Sequence, residues 1–597
     1  MPDSGPSGDH PGELITREEI QREIWGGETF VDFERGLNSC MTQIRAVLND
    51  DTESPRYIET LPRRGYRFIA RVEEITVAPA PPARQLEPLA LPPQGSRALR
   101  PFRWFVICCT GLALALAILG FGVRWRHERP AAPSRIRLAV LPFDNLSGDP
   151  GQDFFSDGFS EEMITQLGEI APDHLGVIAR SSAARYRNTQ KAAAQIGKEL
   201  GVDYLVEGSL RREGDRIHVT AQLIQVKDQP SLWAHSYERV VADTLAIQSD
   251  LARRIADSLA VQLLPARETL AFRGSSTKAE AHEAYLKGRY ELNKLERQSF
   301  QTATQFFQQA IDADANYALA YTGLADSYSY RQLWGALSPE EAFPKARAAA
   351  QKALELDDSL AEAHNSTALV NLFFDWDFSG AERQFQRAIT LEPGFAMAYD
   401  WYAVLLSATG RHDEAIAAIR RAEEIDPLSR LINADNGWFF FYARRYDDAI
   451  RQCQRTLELY PKYRWAMECV MESYAGRGDY AEALKRDKEL MALEGATGAE
   501  VDALDSHDPQ AGWRDAAKWW KQHWERTLPP GVKYLASYDA AVLDAMMGEK
   551  EHGLAELERA YGERDTSLVT LKIDPRLDPL RSDPRFQNLL QEIGLNP

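Results

Sequence analysis

Cysteine is scarce in this chain: five in 597 residues, too few and too scattered for a disulfide framework. A leader is missing too, since Met1 to His10 is polar and rich in Gly, Pro and Asp, so no cleaved signal peptide is expected. Basic excess is absent. With 69 Lys plus Arg against 88 Asp plus Glu, the net charge is -19, which excludes a protein coating nucleic acid by bulk charge but leaves room for one small basic surface. The 44% hydrophobic content points to several globular domains rather than disorder. Catalytic fingerprints are lacking: there is no nucleophile elbow, P-loop or dinucleotide motif, so a non-enzyme without cofactor is expected. Asp144, Asp149, Asp153 and Asp157 lack the glycine and terminal Glu of a calcium loop and read as turn and cap residues. His218, His235, His282, His364 and His412 show no ligand spacing, so no metal is expected.

Long apolar runs are missing with one exception. Trp104 to Val123 (WFVICCTGLALALAILGFGV) carries no charge, and at about 1.5 Å per residue it makes a helix of roughly 30 Å, the thickness of a bilayer core. It reads as an uncleaved single-pass membrane anchor, with Trp104 and Trp125 suited to the two interfaces. Arg84, Arg97, Arg100 and Arg103 precede it, while Arg124, Arg126, Arg129, Arg135 and Arg137 follow, so charge bias leaves its orientation open. Cys108 and Cys109 within it are packing residues or palmitoylation sites. Ahead of it, residues 76–103 form a linker with six Pro between Pro79 and Pro93.

The C-terminal half repeats. Ala381, Phe385, Ala388 and Pro393 recur 34 positions later as Ala415, Ile419, Ala422 and Pro427, then 34 further on as Ala449, Cys453, Thr456 and Pro461. This period, with small residues, one bulky residue and a terminal proline, is the signature of tetratricopeptide repeats. Small residues let neighbouring helices approach, the bulky one fills the groove, and Pro ends the helix. Ala346 and Ala353 extend the pattern backwards at a spacing of 35, and Ala303 and Ala310 at 43. Residues 277–495 are therefore read as repeats. Residues 496–597 read as degenerate helical repeats with a C-terminal cap, Tyr538 to Ala560 forming one more helical pair. Trp519, Trp520 and Trp524 lie on one helix and are read as core rather than ligand cage. Cys453 and Cys469 fall on adjacent helices, and a bridge between them is open if this region is extracytoplasmic.

Residues 135–265 mix strands and helices. RIRLAVLPF and HLGVIAR read as short strands. FFSDGFSEEMITQLGEI is a helix with Ser160 or Asp157 as caps, and KAAAQIGKELG a second helix stopped by Gly201. VDYLVEGSLRREGDRIHVTAQLIQV is a hairpin turning at Glu213-Gly214-Asp215, followed by a strand LWAHSYERV and a helix over Leu245–Leu263. Through AVLPFDNLSGDPGQDFFSDGFSEEM and LGVDYLVEGSLRREGDRIHVTAQLI this segment resembles the TolB-N-like α/β domain that precedes tetratricopeptide arrays in bacterial signalling proteins, some adenylate cyclases among them. No cyclase domain is present.

Within residues 1–75, TREEIQREIW opens at Thr16 with Glu19 three residues on, a capping box. Leu37 to Leu48 reads as a second helix, with Leu37, Met41, Ile44 and Leu48 on one face. Tyr57–Thr60 and Tyr66–Ile69 flank Leu61-Pro62-Arg63-Arg64-Gly65 as a tight hairpin. PGELITREEI, LNSCMTQIRAVLND and SPRYIETLPRRGYRFIA together resemble the OmpR-type winged helix of ToxR/CadC-like membrane-embedded transcription regulators. That resemblance implies that the Leu37–Leu48 helix enters the major groove, with Arg35, Asn38, Ser39, Thr42, Gln43 and Arg45 as DNA-binding residues. It also implies that Arg63, Arg64 and Arg67 in the wing pair with phosphates. The family's domain has a small sheet and first helix ahead of the TREEI segment, so this copy is read as partial. Two explanations stay open: a start upstream of Met1, or lost DNA-binding competence.

The expected architecture is multidomain: a partial winged helix (α+β), one transmembrane helix, an α/β domain and an all-α tetratricopeptide superhelix. The expected function is a bacterial inner-membrane transcriptional regulator, N-terminus cytoplasmic on promoter DNA and C-terminal domains periplasmic. Its partners would be a protein or peptide ligand on the repeats and a second copy in a homodimer. The alternative is a membrane-anchored scaffold with a vestigial DNA-binding fragment. A partner subunit of a nucleotide-cyclase pathway is a further rival, resting on shared domain neighbours.

Overall fold

Alternating apolar and polar residues build the central hairpin. Strands β7 (Tyr204–Glu213) and β8 (Arg216–Gln225) pair antiparallel from Tyr204↔Gln225 to Glu213↔Arg216. A two-residue connection suffices because Gly214 takes φ 63°, a conformation costly for any side chain. Val206, Leu210, Ile217, Val219 and Leu223 fall on one buried face, as a period of two requires. The computed structural model describes residues 14–16, 56–61, 65–69, 135–170, 174–228, 231–240, 244–259, 278–505, 508–527 and 536–595. The chain forms two units, Met1–His127 and Glu128–Pro597.

In the second unit, β4 (Ile136–Val140), β5 (Asp144–Asn145), β6 (Leu175–Val177) and β9 (Ser231–Val240) complete the sheet around the hairpin. Its order is β6-β4-β7-β8-β9, with β5 beside β7. β4 runs parallel to β6 and β7, whereas β8 and β9 are antiparallel. Helices α1 (Asp153–Ile170) and α4 (Thr244–Ser258) supply Phe155, Phe159, Met163, Leu251 and Ile255 to one face. The short α2 (Arg180–Ala183) follows β6. Helix α3 (Ala193–Leu200), ended by Gly201 at φ 64°, packs Ile196 and Leu200 with Leu205 in a second core.

The expected caps are wrong: Asp157 and Ser160 lie inside α1. The helix starts a turn earlier, fed by a 3-10 turn at Pro150–Gln152 whose Gly151 amide bonds to the Asp149 carboxylate at 2.8 Å. Asp157 instead pairs with Arg180 at 3.1 Å and with Arg187, and Ser160 Oγ accepts from the Phe143 amide at 2.9 Å.

The repeat helices follow: α5 (Ala279–Leu292), α6 (Arg297–Ala313), α7 (Ala318–Leu333), α8 (Pro339–Leu356), α9 (Ala361–Val370) and α10 (Phe378–Leu391). After them come α11 (Ala396–Ala408), α12 (His412–Ile425), α13 (Arg430–Tyr442), α14 (Tyr446–Leu459), α15 (Arg464–Gly476) and α16 (Tyr480–Leu493). Ala381, Phe385, Ala388, Ala415, Ile419, Ala422, Ala449, Cys453 and Thr456 are all completely buried. Each of α10, α12 and α14 stops two residues before Pro393, Pro427 or Pro461, because the residue preceding proline disfavours helical geometry. The extra residue in the 35-residue spacing is taken up by a π turn over Asn371–Asp375, closed by Trp376 at φ 57°. Cys453 and Cys469 form a disulfide across α14 and α15, their Cα atoms 6.3 Å apart.

Beyond the regular repeats lie α17 (Gly498–Asp502), α18 (Pro509–Thr527), α19 (Ser537–Met547), α20 (Lys550–Gly562) and α21 (Pro584–Glu592). The segment joining α20 to α21 folds back on the array. Arg564 lies over Phe374 and Trp376, and Trp376 stacks on Tyr561 at 5.4 Å. Arg444 grips Asp578 with two bonds of 2.6 and 2.7 Å.

The α/β domain meets the repeats at two places. Gly158 of α1 lies so close to α5 that an added Cβ would stand 2.6 Å from Leu286. Beside it, Glu161 accepts from Arg289 and, at 3.0 Å, from Asn293. Further along, Ser181 and Ser182 donate to Asp426, and the Ala179 amide reaches the Ile425 carbonyl at 2.9 Å. Among the described residues no helix is long and apolar enough to cross a membrane, and Trp104–Val123 lies outside them.

Candidate nucleic-acid interface and repeat cavity

The first unit holds the wing. Strands β2 (Ile58–Leu61) and β3 (Gly65–Phe68) form the expected hairpin, with Thr60 opposite Tyr66 and Leu61 opposite Gly65. A third strand, β1 (Leu14–Thr16), pairs antiparallel with β3, making the order β1-β3-β2. Sequence reasoning missed it. Three residues are too few for a period-two pattern, and the capping box drew Thr16 into the following helix; Glu19 lies outside the described residues.

Arg67 lies in β3, within the expected Tyr66–Ile69 strand. It sits on the central strand, half-buried, with Leu14 on one side and Glu59 on the other as register partners. The central strand binds both neighbours, so a residue three places past the turn is drawn into the sheet. Arg63 and Arg64 occupy the connection, which lies outside the described residues, as do Arg35, Asn38, Ser39, Thr42, Gln43 and Arg45.

The second unit holds a half-open cavity of about 660 Å³ between the repeat helices, α18, α19 and the returning segment Thr566–Arg576. Its walls are aromatic: Trp438 stacks on Trp465 with centroids 4.5 Å apart, and Trp520 and Trp524 stand nearby. Sequence reasoning put these last two in the core. Trp520 is buried, yet both also face the cavity. Carboxylates interleave with the rings. The Trp465 indole N–H donates to Asp435 Oδ1 at 2.6 Å, and the Trp520 N–H to Asp487 Oδ1 at 2.7 Å.

Burial pushes Asp435 and Asp487 up to about 7, although the indole donors partly offset it. Burial raises Glu472 to about 8 despite the Arg576 charge. Asp539 is raised to about 7 by burial and by the charge of Asp565. Burial opposes the charge of Arg576, but Asp574 at 2.7 Å more than restores it. None of these residues was singled out from the sequence. A signal was present, because period-34 positions that face the cavity change type: Val404, Trp438 and Glu472 occupy one such position.

Residues 9–68 match the family described as "Transcriptional regulatory protein, C terminal", and residues 134–258 match "HilA/YgeH-like transcriptional regulator, second domain". The chain carries a transcriptional-regulator winged helix and a HilA-like second domain, followed by tetratricopeptide-like repeats. Transcriptional regulator HilA of Salmonella typhimurium is 24% identical over 440 residues, 74% of this chain and 68% of that protein. Putative adenylate cyclase 3 of Rhizobium meliloti is 32% identical over 242 residues, 40% of this chain and 41% of that one. The cholera toxin transcriptional activator of Vibrio cholerae is 37% identical over 65 residues, 11% of this chain and 22% of that protein.

Proposed function

We propose that this HilA-like chain is a membrane-anchored transcriptional regulator that binds promoter DNA through its winged helix. The order of winged helix, HilA-like second domain and repeats carries the reading. In it Arg35, Asn38, Ser39, Thr42, Gln43 and Arg45 face the DNA around the major groove, and Arg63, Arg64 and Arg67 of the wing hold phosphates. DNA confines the N-terminus to the cytoplasm, Trp104–Val123 crosses the inner membrane, and the second unit is periplasmic. The Cys453–Cys469 disulfide supports that side, because such bonds persist in oxidising compartments. The repeat array binds a protein or peptide. Homodimerisation uses β9, whose outer edge pairs with no strand among the described residues.

The test is retention of fragments of the organism's own genome by the full chain. We expect salt-sensitive retention of a few fragments, weakened across all of them in an Arg63→Ala/Arg64→Ala variant, whose log–log salt slope falls by about 2. No fragment retained would sink the regulator reading in favour of a membrane-anchored scaffold. Protease added to intact spheroplasts should digest the second unit. If it survives until permeabilisation, the periplasmic assignment fails.

A further inference from the structure

We propose that the cavity between the repeat helices and the returning segment binds a small protonated amine carrying an aromatic body.

Its size suits one compact organic molecule: about 660 Å³ lies within the range of roughly 300–1,000 Å³ typical of small-molecule sites. The segment Thr566–Arg576 forms part of the wall. Trp438, Trp465, Trp520 and Trp524 line it, and such rings attract both another ring and a cation, although a guanidinium already covers one face of Trp438 and of Trp520.

The polar groups choose the sign of charge. Asp435 and Asp487 each spend one oxygen on an indole N–H, and no described residue donates to Asp435 Oδ2 or Asp487 Oδ2. The cavity's own cations are already neutralised: Arg576 by Asp574, and Arg464 by Glu468 at 2.6 Å and Glu494 at 3.1 Å. Both guanidinium groups also lie over indoles, Arg576 at 5.6 Å from Trp438 and Arg464 at 5.4 Å from Trp520. Asp435 and Asp487 therefore each keep one acceptor oxygen beside an aromatic space, and a cation placed there holds both carboxylates ionised. Ser407 Oγ, fully buried on the same lining, has no hydrogen-bond partner among the described residues. An N–H donor on a cation satisfies these acceptors, whereas an anion adds like charge and a neutral ring leaves them unpaired. Among the described residues no group of three His, Cys, Asp or Glu is placed to hold a metal ion.

The inference stands without the DNA-binding reading; only the role of such an amine as a transcriptional signal rests on it. The test reads binding alone, so the two fail separately. The full chain is titrated with 2-phenylethylammonium, and with 3-phenylpropionate and 2-phenylethanol as the anionic and neutral analogues. Binding is followed by calorimetry and by tryptophan fluorescence.

We expect 1:1 binding of the ammonium, at least tenfold tighter than the alcohol, and none of the carboxylate. Asp435→Asn and Asp487→Asn keep the shape and should each weaken the ammonium about tenfold. Val404→Trp, which fills the cavity, should abolish binding. Thermal melts establish that each variant folds. No heat or fluorescence change at millimolar ammonium would overturn the proposal. So would an alcohol that binds equally well, or two Asn variants that both bind like wild type.

Discussion

The two alternating sets of repeat helices obey different rules. On the face where α10, α12 and α14 meet their neighbours, one position reads Ala381, Ala415 and Ala449, and another Ala388, Ala422 and Thr456, all fully buried. On α11, α13 and α15 one position of the same period reads Val404, Trp438 and Glu472, all lining the cavity. The first set is tuned by steric approach, so these positions stay small from repeat to repeat. The second faces open volume, so size and charge are free to diverge. The array thus divides its work, with α10, α12 and α14 supplying the packed seam and α11, α13 and α15 turning variable residues to the cavity.

The sharpest way to break this contrast is to cut into the seam. Phe385→Ala removes a fully buried ring and should cost about 3–5 kcal/mol in denaturant titration. A loss below about 1 kcal/mol would mean that the seam is not close-packed.

Next is the Cys453–Cys469 link between α14 and α15, which joins residues 16 apart. Its reduction should lower stability by about 2–3 kcal/mol, measured as a shift of the urea midpoint with and without reductant. A protein that shows five free thiols when denatured without reductant, rather than the three of Cys40, Cys108 and Cys109, would contradict both the link and the oxidising location.

The inner wall should answer to pH where the seam does not. Burial raises the Glu472 carboxyl to about 8, so the folded state prefers it protonated. Stability from this group is fully present below the unfolded value of about 4.3 and is lost as pH rises through about 8. Glu472→Gln imitates the protonated form. It should be near neutral at pH 5 and stabilise by about 1–3 kcal/mol at pH 9, measured by thermal melts at both pH values. Equal effects at the two pH values would show that Glu472 is charged throughout.

The smallest effect belongs to the returning segment. Arg444→Ala deletes a partly exposed pair with Asp578 and should cost about 0.5–1 kcal/mol at low salt, vanishing at high salt. A salt-independent loss would assign Arg444 a packing role instead.

Much of this was legible before any coordinates. The period of 34, the hairpin at Gly214 and the wing hairpin all follow from local patterns, because small residues, turn glycines and alternation act over a few positions. The start of α1 was misread, since Asp157 has a capping residue's identity but spends its carboxylate on Arg180, 23 positions away. β1 was invisible because its three residues are strand only by virtue of β3. Of the proposed DNA-contacting residues, only Arg67 lies among the described residues. Its place on the central strand was hidden by the same missing partner.

By itself the sequence determined the periodic elements, the small-residue seam and the single long apolar run, since each is set by neighbours within one or two helical turns or by composition. Tertiary structure alone decided that the α/β domain grips the repeats at both Leu286 and Asp426. It alone brought Asp435, Asp487 and Glu472 together with seven indoles around one space. Those groups come from helices dozens of residues apart, and their protonation follows from shared burial, a property no local pattern encodes.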